Sequence, residues 1–117
     1  MNPNDYLYKS GLVDSNYDNI HSRMVDDNLN LMHGALGMAG ETGEVVDLIK
    51  KSLIFGKPLD QDKLKKECGD VLWYMAILIR SMGSSFEEIM QMNIDKIEAR
   101  YPNGFTEQCA LERKDEK

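Results

Sequence analysis

From Asp27 to Leu53, apolar side chains return at steps of three and four: Leu29, Met32, Leu36, Ala39, Val45, Val46, Leu48 and Ile49. That recurrence is the period of an α-helix, whereas a half-buried strand would show strict alternation. Phe55-Gly56-Lys57-Pro58 then ends the pattern with the glycine-before-proline punctuation of a helix stop. Asp60 carries the short side-chain oxygen of an N-cap, so a second helix is predicted from Gln61 to Met82. Its first half is polar on one side, through Asp62, Lys63, Lys65 and Lys66. Its second half, Val71 to Ile79, has no polar group except the tip of Tyr74, which predicts burial on nearly every side. Within the same helix, Cys68 reads as a small buried thiol.

Ser84 and Ser85 precede Glu87 and Glu88 at capping-box spacing and open a third helix, Phe86 to Arg100, which Pro102-Asn103-Gly104 closes. The apolar residues of the first 25 positions are scattered among Asn, Asp and Ser, predicting at most a short helix and then a loop. The tail from Glu107 to Lys117 is charged and predicts fraying or a short helix. The expectation is one all-α domain of helical-bundle type, with its core over about 26–105, an N-terminal extension 1–25 and a charged tail 107–117.

Composition narrows the function classes. The chain has 117 residues, 42% of them hydrophobic, and a net charge of -6. A monomer this short has limited surface to bury, so a helix apolar all round points to oligomerisation. No basic stripe is present for duplex nucleic acid. No apolar run reaches the roughly 20 residues of a membrane span, and no signal peptide opens the chain, so a cytoplasmic protein is expected. Cys68 and Cys109 make neither a C-x-x-C motif nor a disulfide framework.

Glu41 and Glu44 stand three apart on the first predicted helix, and Glu67 and Asp70 repeat the spacing on the second. Each E-x-x-E/D pair alone is a weak signal, since such pairs are mostly solvated. The surroundings strengthen it. Gly34, Gly37, Gly40 and Gly43 recur every third residue, although each glycine costs a helix about 0.8–1 kcal/mol against alanine. A neighbouring helix or a ligand approaching the backbone closely would explain them equally well. Glu67 and Asp70 head a stripe that continues as Val71, Tyr74, Ile77 and Leu78, a poor setting for free carboxylates. Two like charges ~4 Å apart repel by about 4 kcal/mol at an effective dielectric near 20, so converging acids must take up protons or a cation. Oxygen-only ligands suit a hard ion, Mg²⁺ first and Mn²⁺ as a substitute.

On the third helix, Asn93 interrupts the stripe of Phe86, Ile89, Met90, Ile97 and Tyr101, with Lys96 and Arg100 at its edge. The residues read either as a structural amide beside two solvated cations or as a donor patch for phosphate oxygens. Lys51, seven residues after Glu44, could join such a patch.

Gly37-Met38-Ala39-Gly40-Glu41-Thr42-Gly43-Glu44-Val45, then Glu67-Cys68-Gly69-Asp70-Val71-Leu72-Trp73-Tyr74, then Asn93-Ile94-Asp95-Lys96-Ile97 with Arg100-Tyr101-Pro102, resemble the MazG-type nucleotide pyrophosphohydrolases. The resemblance spans roughly residues 28 to 105 and implies the all-α fold shared with dimeric dUTPases and phosphoribosyl-ATP pyrophosphohydrolases, assembled as a homodimer or homotetramer. It further implies Mg²⁺ at Glu41, Glu44, Glu67 and Asp70, and substrate phosphates at Asn93 and Lys96. The implied reaction is hydrolysis of a nucleoside triphosphate to monophosphate and pyrophosphate. Glu41 is taken as the base, although spacing does not separate it from Glu44. Tyr74, on the acid face, is a candidate for the substrate, while Trp73 points elsewhere and suits core or subunit packing. The alternatives are a dUTPase-like or phosphoribosyl-ATP-hydrolysing enzyme, and a non-catalytic helical interaction module. A ferritin-like di-iron protein would need Glu-x-x-His pairs, and neither His21 nor His33 follows a glutamate by three.

Overall fold

The structure, a computed structural model, describes residues 1–116. Among them are six α-helices: α1 Pro3–Gly11, α2 Tyr17–Arg23, α3 Asp26–Leu53, α4 Gln61–Ser81, α5 Phe86–Arg100 and α6 Glu107–Glu112. A 3-10 turn at Lys114–Glu116 follows, and no strand occurs among the described residues. The three long helices lie within a residue of their expected limits. The expectation for the first 25 residues is corrected, because two helices form there instead of one followed by a loop. Asn2 accepts a hydrogen bond from the Asp5 amide with Pro3 at the first helical position, and Asn16 accepts one from the Asn19 amide. Both are N-caps that override a diffuse apolar pattern.

The other caps follow from side chains already singled out. Asp60 accepts from the Lys63 amide, and Ser85 accepts from the Glu88 amide while Ser84 donates to the Glu88 carboxylate. Gly56 and Gly83 adopt φ of 74° and 67° after α3 and α4, a left-handed conformation that a side chain would resist.

Among the described residues only α3 and α4 pack along their length; α6 and the 3-10 turn pack on the end of α5. Two of the four glycines make the α3–α4 contact possible. A Cβ on Gly34 would lie 2.8 Å from Leu78 Cγ, and one on Gly37 would overlap the Tyr74 ring. Gly40 and Gly43 face open space. His33 meets the Tyr74 ring edge-on at 5.7 Å.

A single chain leaves much of its apolar surface uncovered. Among the described residues Ile79, 4% exposed, is the only buried large apolar side chain, while Trp73 is 70% exposed. The radius of gyration is 20.2 Å, against about 13 Å for a compact chain of about 100 residues. The burial expected for Val71 to Ile79 is thus incomplete within one chain, and Cys68, expected to be buried, is exposed. Both lie beside an apolar groove formed by Thr42, Val45, Cys68, Val71 and Leu72. No helix among the described residues is long and apolar enough to cross a membrane.

Candidate metal and phosphate site

The α3–α4 hairpin brings the two acidic motifs together. Close packing at Gly34 and Gly37 sets the approach of the helices one to two turns before Glu41, so Glu41 faces Glu67 and Asp70 across the groove. One carboxylate oxygen from each of Glu41, Glu67 and Asp70 lies within 4.8 Å of the others. Glu41 and Glu67 are half-buried and Asp70 is exposed. Burial raises the Glu41 carboxyl above its ordinary range; the charges of Asp70 and Glu67, a hydrogen bond with Glu67 and the charge of Glu44 raise it further. Carboxylates this close repel one another, so a divalent cation placed among them binds with gain, and an all-oxygen donor set fits a hard ion. No histidine belongs to the group.

Glu44 is exposed and stands outside that trio. It lines, with Glu67, an adjoining cavity of about 220 Å³ at the hairpin turn. Lys51, Lys57 and Lys63 share that cavity with Asp47 and Asp60. Asp47 binds the Lys51 ammonium at 2.7 Å, which lowers the Asp47 carboxyl and raises the lysine. Lys51 therefore stands beside the acids rather than beside α5.

Asp47, Lys57 and Lys63 are not among the site residues expected from the sequence. Asp47 and Lys63 were within reach of helical spacing, since Asp47 lies one turn past Glu44 and Lys63 one turn before Glu67. Lys57 arrives only through the turn, which no periodicity reports.

The remaining expected residues fall elsewhere. Tyr74 lies one turn beyond Asp70, with its ring committed to Gly37 and His33 between the helices. Asn93 and Lys96 are exposed on α5, and α5 does not pack along the α3–α4 pair. Within one chain they are not brought to the acids.

Residues 32–105 match the family model described as the MazG nucleotide pyrophosphohydrolase domain, which is more than half of the chain. The chain belongs to the MazG family. Its all-helical fold agrees with that membership. This MazG domain is also similar to the Gene 37 protein of Mycobacterium phage L5, with 31% identity over 78 residues, covering 63% of this chain and 68% of the phage protein. The name of that relative states no activity. No solved structure matches the chain. The matched region contains both acidic motifs, the hairpin turn and the whole of α5.

Proposed function

We propose that this MazG domain hydrolyses a nucleoside triphosphate to the monophosphate and pyrophosphate. The observation that carries the reading is the meeting of Glu41, Glu67 and Asp70 next to a lysine-lined cavity. Lys51, Lys57 and Lys63 line that cavity beside Glu44, Asp47, Asp60 and Glu67, so a polyphosphate entering together with a divalent ion that offsets the carboxylates would meet the lysines there. Glu41, Glu67 and Asp70, with Glu44 at the edge, would hold a divalent ion, Mg²⁺ by preference. When bound, that ion supplies neutralisation of the triphosphate and a lowered pKa for water.

The chain's own residues do the rest. With the cation bound, Glu41 would be held as the carboxylate and accept a proton from the attacking water. The water oxygen bonds to the α-phosphorus as the bond from that phosphorus to the α,β-bridging oxygen breaks. Pyrophosphate leaves with the electron pair. Lys51, Lys57 and Lys63 hold the departing phosphates and offset the charge that develops there. Asn93 and Lys96 contact the phosphates from α5 of a second copy. That copy also covers the apolar groove at Val45, Val71 and Leu72, in a homodimer or homotetramer.

A panel of the eight common ribo- and deoxyribonucleoside triphosphates, assayed with Mg²⁺ for monophosphate and pyrophosphate, tests the reading. Metal-dependent appearance of both products is expected. Release of diphosphate and orthophosphate would place the attack at another phosphorus, and no release from any of the eight would remove the proposal.

A further inference from the structure

Beyond α6 the chain turns back at Arg113, whose φ of 50° is left-handed, and lays residues 114–116 against the end of α5. The contact is an ion pair of high definition. Arg100 donates from Nε to Asp115 Oδ1 at 2.8 Å and from Nη2 to Oδ2 at 2.9 Å. The Asp115 side chain is 2% exposed and that of Arg100 is 15% exposed. The pairing holds the Asp115 carboxyl down at about 2 and raises the Arg100 guanidinium. A second arginine adjoins them. Arg113 Nε is buried without a hydrogen-bond partner, 3.6 Å from the same Oδ1, while its Nη2 meets Glu116 at 2.6 Å.

Arg100 is seven residues after Asn93 and four after Lys96, so the three lie along one ridge of α5. Asn93 and Lys96 are exposed, and only the arginine is covered. A guanidinium fork binds a carboxylate and a phosphate with the same two-point geometry, so one can replace the other. At 3.6 Å from Oδ1 the Arg113 Nε is too far for a hydrogen bond to Asp115, and the third oxygen of a phosphate could serve it.

We propose that Arg100 and Arg113 form a phosphate-binding site that Asp115 fills from within the chain, so that the tail and an incoming phosphate compete for Arg100. The tail thereby sets the apparent affinity of the α5 ridge for polyphosphate. Its place in catalysis rests on the nucleotide reading above; the competition itself does not. If the pair is closed nine-tenths of the time, apparent affinity falls about tenfold below that of the open ridge.

Calorimetric titration of inorganic pyrophosphate into the metal-free full chain, in chelator and low salt, reads this without turnover. D115A should bind about three- to tenfold more tightly than the unaltered chain. The R100A/D115A double variant should bind no more tightly than R100A alone. E107Q, which removes one equal charge from the exposed start of α6, should change nothing. A D115A chain of unchanged helical content that binds no better, or an equal gain in E107Q, would overturn the proposal.

Should D115A lose structure, the unaltered chain still decides by NMR. Saturating pyrophosphate should shift the Arg100 Nε–H resonance and the Asp115 carboxyl carbon together, and an unmoved Arg100 signal would end the idea. A gain in D115A without nucleotide hydrolysis in any form would retire the enzyme reading alone. Hydrolysis with no gain would retire only the tail.

Discussion

The Tyr74 ring occupies the space that a Cβ on Gly37 would need. The contact sits one helical turn from Glu41 on α3 and one turn from Asp70 on α4, so the packing that holds the two helices together also sets the separation of the acids. Gly37→Ala should lose about 1–3 kcal/mol to overpacking, offset by the ~1 kcal/mol that alanine contributes to an interior helix position. Gly40→Ala meets nothing within 4 Å and should be neutral or stabilising by up to ~1 kcal/mol in the isolated chain. Urea unfolding of the two variants checks the contrast. Equal effects would mean that Gly37 marks no close contact.

Glu41→Gln keeps the size of the side chain and removes its proton-accepting oxygen. Turnover should fall by at least ~10², with circular dichroism unchanged. Pyrophosphate release close to that of the unaltered chain would hand the role of base to another group, with Glu44 the next to test.

Metal-free protein should respond to pH in a direction set by Glu41. Its carboxyl is raised in the folded state, so between the ordinary value of 4.5 and the higher folded value the native chain holds more protons than the unfolded one. Stability from this group therefore falls as pH rises through that window. The melting temperature of Glu41→Gln relative to the unaltered chain should grow across it, and saturating Mg²⁺ at neutral pH should reverse the order. A difference independent of both pH and Mg²⁺ would contradict the acidic cluster as a cation site.

Asp115 titrates with the opposite sign. Its carboxyl is lowered from 3.8 to about 2, so the stability it contributes is fully present above the unfolded value and is lost as pH falls toward 2. Acid melts of Asp115→Asn should converge with those of the unaltered chain near pH 2 and lie below them at pH 5. Coincident curves at both ends would show the pair with Arg100 to be absent in solution.

Exposed Leu72 and Trp73 predict the outcome for assembly. Sedimentation velocity should show the full chain larger than a monomer, and Leu72→Glu or Trp73→Glu should shift it toward one. A monomer at micromolar concentration in the unaltered chain would leave the apolar side of α4 without its proposed cover.

Local physics made much of the molecule legible. The three long helices follow from a 3.6-residue period and from caps at Asp60 and Ser85, whose short side chains act within three residues of themselves. The pairing of the acids within each helix, Glu41 with Glu44 and Glu67 with Asp70, is a matter of helical spacing. Asn2 and Asn16 carried the same kind of signal for α1 and α2, which a scattered apolar pattern obscured.

Whatever depends on two segments meeting was decided by the tertiary structure. The four glycines of α3 are alike along the chain, yet two receive side chains from α4 and two face open space, because only packing distinguishes one turn of a helix from the next. Glu41 joins Glu67 and Asp70 while Glu44 turns toward the lysine cavity, a split that depends on how α4 lies across α3. Lys57 enters that cavity through the turn, and Asp115 reaches Arg100 by a reversal at Arg113. Side-chain sequence determines which residues share a helical face, since that is fixed by backbone geometry over a few residues. Which faces meet depends on the burial and charge of the whole chain.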